Sequence, residues 1–409
     1  MRLLFLTPRY YPATGGVESL VRDLSRTLVG GGHQVTVLAP IRATIDILPS
    51  RLSYAARHVP DEDDDGVRVV GLNPPPWARL LQLPVAIRDN PTVGGKFYDR
   101  LARLQAPLYC LANRPRIDQL AARADVVHVF GAEQLAALAS SATRRRGLPL
   151  VVTPFAHPGQ WGDDSVTRAV CRRADAVVGL LPSECRLYQG WGVAADRLHT
   201  IGVGVNPIDT GGAAAFRAAH ALDDAPVVLF VGRKEPYKGY TTLLEAAPTV
   251  WASHPDARFV FLGPDTPEST ETFAARREER RVLNQGRVDE AAKAAALAAC
   301  TLLALPSSSE IMPTVFLEAW SARRPVVAGD TPYQRELMDD GRRGLLALPR
   351  DAAALATALL QLLDDAELRA TLSDAGYNRY LTDHTFSSVS RQHLDLYHSV
   401  IEARRTARR

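Results

Sequence analysis

One stretch of the sequence is the most informative about the fold: Cys300-Thr-Leu-Leu-Ala-Leu305-Pro-Ser-Ser-Ser-Glu310-Ile-Met-Pro-Thr-Val-Phe-Leu-Glu318-Ala-Trp320. It begins with an apolar run, continues through a turn and ends in a second apolar run. The first run predicts a short buried strand, and Pro313 stands where proline suits the first turn of a helix. A helix that opens directly after a strand aims its free amides and the positive end of its dipole at one spot, which favours phosphate. The stretch therefore predicts an α/β fold with an anion site at this turn.

Two glutamates, Glu310 and Glu318, belong to this turn, with seven residues between them. Glu310 is expected in the loop and Glu318 about two turns into the helix. One carboxylate can then face a sugar while the other reaches a ribose hydroxyl. Ordinary loop and helix-surface glutamates would produce the same spacing, so the pair gains meaning only from the rest of the chain.

The composition is that of a soluble globular protein. The chain has 409 residues, of which 46% are hydrophobic and 23% charged, and this length predicts two domains. A net charge of +3 is too small to indicate a nucleic-acid partner. The four cysteines lack metal-binding spacing and favour a reduced cytoplasmic protein. The apolar run Leu3–Leu6 is too short for a signal peptide, and no segment is apolar enough to span a bilayer.

Two successive series of apolar strands predict two α/β domains with parallel sheets. The first series is expected at Leu3–Thr7, Val35–Leu38, Val67–Val70, Val126–Val129, Leu150–Thr153, Ala176–Gly179 and Thr200–Val203. The second is expected at Val227–Val231, Arg258–Leu262, Leu302–Leu305, Pro325–Val327 and Leu345–Leu348. Turn-forming residues near Asn206–Asp224 mark the break between them. The acidic run Asp61–Asp65 is interpreted as a solvated turn.

A second candidate loop opens the second series. The segment Val231-Gly-Arg233-Lys-Glu-Pro-Tyr-Lys238-Gly239 follows a strand and leads into a helix. Such a turn suits phosphate, and here it also supplies cations. Arg233 can grip a diphosphate through two parallel hydrogen bonds, with Lys238 as a compact charge beside it. A basic surface loop is the equally plain alternative.

Taken together, the chain resembles the retaining GT-B glycosyltransferases of family 4. The resemblance rests on the order of three motifs: Gly15-Gly16-Val17-Glu18 after the first strand, the Gly232-Arg…Lys238-Gly239 loop, and the Glu310–Glu318 turn. The family implies two Rossmann-like domains that face each other across a cleft, one for the acceptor and one for the nucleotide sugar. The predicted domains are 1–205 and 206–384, with 385–409 as a helix that returns to the first domain.

The resemblance also implies roles for individual residues. Glu310 and His157 match catalytic positions at the transferred sugar, and Glu318 matches the ribose-binding glutamate. Met312 and Pro313 fall where the donor sugar is read. The positions that match the donor diphosphate site are Arg233, Lys238, Gly16, Thr314 and Val315. His157 stands in a stretched version of the usual spacing, and His128 is the alternative histidine, interpreted as structural.

The family further implies a reaction. It is retaining transfer of a hexose-type sugar from a nucleoside diphosphate sugar, with UDP or GDP as carrier, to a hydroxyl acceptor. No Asp-x-Asp suited to a metal accompanies the motifs, so no cofactor and no metal are expected. Where relatives often have Glu-Gly-Phe-Gly, this chain has Glu310-Ile-Met-Pro313, and the proline lacks an amide hydrogen. Which sugar is carried therefore stays open. A GT-B epimerase or phosphorylase, or a catalytically silent binding protein, are the alternative functions.

The acceptor is not determined by these motifs, and a glycan, a lipid-linked sugar or a small molecule all remain open. An apolar stripe of Phe97, Leu101, Leu104, Leu108 and Leu111 is flanked by Arg100, Arg103 and Arg114. It predicts either packing on the core, with Pro107 interrupting the helix, or a helix that faces a membrane or a lipid acceptor. The expected localisation is cytoplasmic with either interpretation, and the second one adds peripheral contact with a membrane.

Overall fold

The computed structural model describes residues 1–13, 15–40, 60–73, 95–159, 162–276 and 279–407. Contacts divide the chain into two compact units: unit 1 is Met1–Gly202 with Val389–Arg409, and unit 2 is Val203–Ser388. These divisions lie within five residues of the two boundaries predicted from the sequence.

The strands of the described residues follow the apolar runs of the sequence closely. They are β1 Arg2–Leu6, β2 Gln34–Leu38, β3 Glu62–Asp64, β4 Val67–Val70, β5 Val126–Phe130, β6 Leu150–Thr153, β7 Ala176–Gly179, β8 Leu198–Thr200, β9 Val227–Val231, β10 Arg258–Leu262, β11 Val282–Asn284, β12 Leu302–Leu305, β13 Val326–Gly329 and β14 Leu345–Ala347. Two edge strands, β3 and β11, were not predicted, because three residues are too few to show a pattern. The expected strand Thr200–Val203 lies earlier in the chain, as β8.

Helices connect these strands, as the spacing of the apolar residues indicates. They are α1 Gly16–Gly30, α2 Gly95–Ala121, α3 Glu133–Arg146, α4 Ser165–Cys171, α5 Pro182–Gly190, α6 Ala213–Ala219, α7 Tyr240–Ser253, α8 Pro267–Ala274, α9 Glu290–Ala299, α10 Thr314–Ser321, α11 Pro332–Leu337, α12 Ala352–Asp364, α13 Ala366–Arg379 and α14 Phe386–Thr406. In α1 the residues Leu20, Val21, Leu24 and Leu28 are buried at helical spacing.

Each unit has one sheet as its centre. In unit 1 the described strands form the order β3-β4-β2-β1-β5-β6-β7-β8, and in unit 2 the order β11-β10-β9-β12-β13-β14. All paired strands are parallel except β3 with β4. The strand order reverses next to β1 in unit 1 and next to β9 in unit 2, which is the doubly wound arrangement. The predicted α/β class with two Rossmann-like parallel sheets is confirmed.

The acidic run at residues 61–65 is more than a solvated turn, and that interpretation was wrong for Asp64. Residues Glu62–Asp64 form the antiparallel edge strand β3. The Asp64 side chain is only 13% exposed and accepts hydrogen bonds from Tyr10 Oη at 2.8 Å, Arg22 Nε at 2.9 Å and Arg26 at 2.6 Å. Burial raises the pKa of Asp64, but the bonds from Arg22, Arg26 and Tyr10 outweigh burial and hold it well below the ordinary value.

Helix α2 continues through Pro107 and Pro115, so the expected interruption at Pro107 does not occur. Its residues Leu104, Leu108 and Leu111 are 67%, 43% and 59% exposed. The core-packing interpretation of the apolar stripe is therefore wrong for these three leucines. The side chains of Phe97 and Leu101 lie outside the described residues.

The C-terminal part of α14 packs on the sheet of unit 1. Tyr397 is buried against β1 and β5, and its hydroxyl lies 2.7 Å from His128 Nδ1. The other ring nitrogen of His128 lies 2.8 Å from Thr153 Oγ1. Arg404 donates to Asp175 at 2.6 Å. His128 is thus a core residue, held by strand β6 on one side and by the last helix on the other.

Candidate active site

The loops predicted to bind phosphate and sugar meet at one edge of the unit 2 sheet. Strands β9 and β12 are parallel neighbours, with Leu302 opposite Val228 and Leu303 opposite Leu229. They flank the point at which the strand order reverses. Residues 232–239 follow β9 and residues 306–313 follow β12, so both loops leave the carboxyl ends of adjacent strands. In open α/β sheets this is where ligands bind.

Two contacts join the two loops to each other, and a third ties the second loop to helix α11. Gly239 has a φ of +78°, and a Cβ there would lie 2.6 Å from the Pro306 carbonyl oxygen, so this position requires glycine. The Ser308 amide donates to the Tyr237 carbonyl at 2.8 Å. Below them, buried Gln334 donates through Nε2 to Ser307 Oγ at 2.6 Å. The separation of the loops is therefore set by close backbone packing.

Lys238 and Glu310 form an ion pair across the two loops. Lys238 Nζ donates to Glu310 Oε1, and both side chains are 18% exposed. Burial opposes the charged form of Lys238, but the Glu310 carboxylate outweighs burial, and the pKa of the lysine is raised. Two of the residues predicted from the sequence are thus in direct contact. The arrangement presents a cation and a carboxylate at the same spot.

The first loop has two further basic residues, a half-buried arginine and a buried lysine. Arg233 lies half-buried after β9. Lys234, which was not predicted as a site residue, is fully buried. It donates to the Gly263 carbonyl at 2.5 Å and to Asp265 at 3.2 Å. Burial lowers its pKa, with Asp265 acting against burial. Lys234 therefore fastens this loop to the loop after β10, and its neighbours in the sequence gave no signal of this.

The second loop leads directly into helix α10. Pro313 is the N-cap residue, and the helix begins at Thr314 without a side-chain cap. The sequence predicted Pro313 within the first turn, so the helix begins one residue later than expected. Val315 is buried and Thr314 is half-buried. Met312 is also buried, and its sulfur accepts from the Val203 amide at 3.4 Å. The start of α10 therefore offers backbone amides beside Glu310, while Met312 turns towards the start of unit 2.

Glu318 lies on α10 and contacts a lysine that the sequence argument did not single out. Lys293 on α9 donates to Glu318 Oε1 at 3.0 Å and contacts Glu290 at 2.7 Å. Burial raises the pKa of Glu318, with Lys293 opposing it. For Lys293, burial is outweighed by the two carboxylates and the pKa is raised. One feature of the sequence could have drawn attention to Lys293: it is the single cation within the alanine-rich segment 290–299.

Two predicted site residues belong to unit 1. Gly16 is exposed and opens helix α1, directly after the first βα turn. At the preceding Gly15, a Cβ would lie 2.3 Å from Glu18 Oε2, which is the end of a flexible side chain. His157 is half-buried in the loop that follows β6. Both residues follow the carboxyl ends of unit 1 strands.

Within the described ranges, no group of three or more His, Cys, Asp or Glu side chains could hold a metal ion. Among the helices of the same ranges, none is both long enough and apolar enough to cross a membrane.

Two family profiles match the chain in succession. Residues 15–204 match the glycosyl transferase 4-like domain, and residues 213–379 match the glycosyl transferases group 1. Together they span most of both units.

Curated relatives are similar over nearly the full length. The chain is 27% identical to the alpha-D-kanosaminyltransferase of Streptomyces kanamyceticus, over 93% of this chain and 99% of that protein. It is 29% identical to a phosphatidyl-myo-inositol mannosyltransferase of Mycolicibacterium smegmatis, over 98% of this chain and 94% of that protein.

Solved structures share the fold at lower identity. Anabaena Alr3699/HepE in complex with UDP has a TM-score of 0.72 and 19% identity, covering 98% of this chain and 100% of that chain. Sucrose-phosphate synthase from Thermosynechococcus elongatus has a TM-score of 0.71 and 21% identity, with the same coverage.

Proposed function

Because the chain belongs to the family 4-type GT-B glycosyltransferases, transferases of class EC 2.4, we propose that it moves a hexose-type sugar from a nucleoside diphosphate sugar to a hydroxyl acceptor with retention. The observation that carries this proposal is the Lys238–Glu310 pair on the loops of two adjacent strands. It supports a site in which the cation of Lys238 contacts the departing phosphate and the carboxylate of Glu310 contacts the sugar.

The donor is bound, in this proposal, by groups of different chemistry. Arg233 and Lys238 hold the diphosphate, assisted by the amides of Thr314 and Val315 at the start of α10. Glu318 accepts hydrogen bonds from the ribose hydroxyls. Met312 and Pro313 stand two and three residues after Glu310 in the chain, and the proposal assigns them to the donor sugar. The carrier is UDP or GDP; UDP is the ligand of Alr3699/HepE.

The reaction follows from where charge develops. The bond between the anomeric carbon and the phosphate oxygen breaks, and its electron pair leaves with the nucleoside diphosphate. Arg233, Lys238 and the helix amides stabilise this negative charge, and Glu310 stabilises the positive character of the sugar. The acceptor oxygen bonds to the same face of the anomeric carbon and passes its proton to the leaving phosphate oxygen.

Retention by a front-face route is proposed because the sequence offers no candidate for the second carboxylate that double displacement requires. We also propose that turnover is independent of metal, since Arg233 and Lys238 supply the cations that a divalent ion would otherwise provide. Assays in EDTA and in added Mg²⁺ or Mn²⁺ test this point. Equal rates are expected, and a strict requirement for a divalent ion would contradict it.

The acceptor side of the proposal rests on helix α2. The exposed row Leu104, Leu108 and Leu111 lies beside Arg103 and Arg114, which are 64% and 57% exposed. An apolar row with basic neighbours suits an anionic membrane surface. We infer peripheral contact there, which would bring the enzyme to an acceptor carried by lipid. The mycolicibacterial relative is a phosphatidyl-myo-inositol mannosyltransferase by name.

Replacing Glu310 by alanine tests the central role. In Glu310→Ala the transfer rate should fall at least a hundredfold, while UDP or GDP binding measured by calorimetry changes only a few-fold. Glu245→Ala, at an exposed site on α7, is the matched control and should keep both properties. Full transfer activity in Glu310→Ala would contradict the mechanism.

Product analysis separates the alternative functions. A retaining transferase gives a new glycoside with the anomeric configuration of the donor, as shown by the proton coupling constant in NMR. A sugar-nucleotide epimerase would change the donor without an acceptor, and a phosphorylase would require inorganic phosphate. Nucleotide binding without any product would indicate a silent homologue.

A further inference from the structure

Lys293 reaches from helix α9 to the carboxylate of Glu318 on helix α10. Its Nζ lies 3.0 Å from Glu318 Oε1 and 2.7 Å from Glu290 Oε2. The side chains of Lys293 and Glu318 are 18% and 14% exposed, whereas Glu290 is 89% exposed. Lys293 therefore turns away from solvent to a buried carboxylate, and the exposed glutamate is its outer partner.

The proposed ribose site depends on the charge of Glu318. An ionised carboxylate accepts hydrogen bonds at both oxygens, whereas a protonated one gives up part of that capacity. Burial raises the pKa of Glu318, and Lys293 is the group that opposes this, with Glu290 acting weakly in the same direction as burial. Without a nearby cation, a buried carboxyl tends to take up a proton near neutral pH.

The geometry also divides the two carboxylate oxygens. Lys293 donates to Oε1, and this fixes the orientation of the carboxylate group. Oε2 is the other oxygen, and the proposed function assigns it to a ribose hydroxyl.

We propose that Lys293 is a positioning residue for nucleotide recognition: it holds Glu318 ionised and oriented so that the carboxylate binds the ribose hydroxyls of the donor. This rests on the proposed function, in which Glu318 is the ribose-binding group. Lys293 itself is not assigned a contact with the nucleotide.

The test compares nucleotides that differ in one ribose hydroxyl. Dissociation constants are measured by calorimetry for UDP and 2′-deoxy-UDP, and in parallel for GDP and 2′-deoxy-GDP, and the deoxy/ribo ratio is the readout. A hydrogen bond to a charged group predicts a ratio of roughly 10 or more in the wild type. In Lys293→Met at pH 7 the ratio should fall several-fold, because Glu318 is partly protonated.

The pH profile separates this role from a merely structural one. In Lys293→Met the ratio should recover as pH rises and Glu318 loses its proton, whereas in the wild type it should be flat near and above neutrality. Lys293→Arg should retain the wild-type ratio. Glu290→Gln, which removes only the exposed partner, is the matched control and should also retain it.

One result would overturn the inference: a deoxy/ribo ratio in Lys293→Met that equals the wild-type ratio at every pH, whether or not both affinities fall together. Lys293→Gln serves in its place if the methionine variant does not fold. A wild-type ratio that persists in Glu318→Ala would instead refute the ribose assignment of the proposed function. The two failures are therefore distinguishable.

Discussion

At the carboxyl edge of the unit 2 sheet, two carboxylates each contact a lysine from another element. Glu310 contacts Lys238 from the neighbouring loop, and Glu318 contacts Lys293 from the neighbouring helix. A buried charge whose partner is removed is far more costly than an exposed one. Substitution of one member should therefore change the protonation or orientation of the other, so single variants at this site have to be interpreted as changes to a pair.

Asp64 is a largely buried charge of unit 1 that three side chains hold. Asp64→Asn removes the charge and one of the two carboxylate oxygens that accept from Tyr10, Arg22 and Arg26 and should lower the free energy of unfolding by about 2 kcal/mol at pH 7. Because the folded pKa is depressed, this contribution is fully present above the unfolded pKa of about 4, declines below it, and is lost only as pH falls through the lower folded pKa. Urea unfolding at pH 7 and at the lowest pH at which the protein still folds measures the difference.

The neighbouring Asp65 provides the control for that experiment. Its side chain is 74% exposed, although it also contacts Arg26. Asp65→Asn should change stability by less than about 0.5 kcal/mol at either pH. Equal effects of the two substitutions, or a loss in Asp64→Asn that does not diminish in acid, would contradict the assignment.

At the scale of elements, the contact between the loops after β9 and β12 depends on Gly239. Gly239→Ala adds a methyl group that would lie 2.6 Å from the Pro306 carbonyl oxygen, at a φ of +78°. The loops must separate, which moves Lys238 relative to Glu310. Nucleotide affinity measured by calorimetry should fall roughly tenfold or more, because misplacement of such groups by about 1 Å is costly.

Gly30→Ala is the corresponding control, since a Cβ at Gly30 meets nothing within 4 Å. It should leave nucleotide affinity unchanged. Wild-type affinity in Gly239→Ala would show that the two loops can separate without consequence for the site.

Helix α2 carries the prediction about membranes. The triple variant Leu104→Ser, Leu108→Ser and Leu111→Ser should reduce co-sedimentation with phosphatidylglycerol vesicles roughly tenfold or more, because three exposed leucines are lost from the contact. Binding by the wild type should weaken in high salt, since the flanking arginines contribute.

Exposed leucines of unit 2 serve as the matched control. Leu348 and Leu381 are 56% and 48% exposed, and their replacement by serine should leave vesicle binding unchanged. Failure of the wild-type protein to bind anionic vesicles, or unchanged binding by the triple variant, would rule out α2 as a membrane contact.

At the scale of the whole molecule, the chain returns to unit 1 after completing unit 2. A protein ending at Ser388 retains residues 1–202 but loses Tyr397 and Arg404, which contact His128 and Asp175. The unit 1 sheet would then expose an apolar surface. Its thermal unfolding temperature, measured by calorimetry, should fall by about 10 °C or more, or the protein should aggregate.

Two further proteins make this result interpretable. A chain ending at Thr406 keeps every contact described for α14 and should unfold like the wild type. Tyr397→Phe removes only the hydroxyl bonded to His128 and should cost about 1 kcal/mol. Wild-type stability of the chain ending at Ser388 would show that the last helix is dispensable for unit 1.

Much of the fold was accessible from the sequence because the strands are continuous apolar runs. Val227–Val231 and Leu302–Leu305 were predicted with the bounds that the structure gives. The edge strands β3 and β11 were missed, since each is three residues long with little apolar pattern. The exposure of the leucines of α2 was also left open by the sequence. Helical spacing predicts that residues share a face, but not whether that face is covered.

The sequence by itself determined the two α/β units, since strand, turn and helix signals are local. It also predicted Arg233, Lys238 and Glu310 in loops and Glu318 in a helix. Only the tertiary structure decided that β9 lies beside β12, which joins Lys238 to Glu310 across 72 positions of sequence. It likewise decided that Lys234 is buried, that Lys293 and Asp64 are half-buried, and that all three are paired. The physical reason is that an ion pair or a buried charge depends on partners distant in sequence, and these partners leave no periodic pattern near the residue itself.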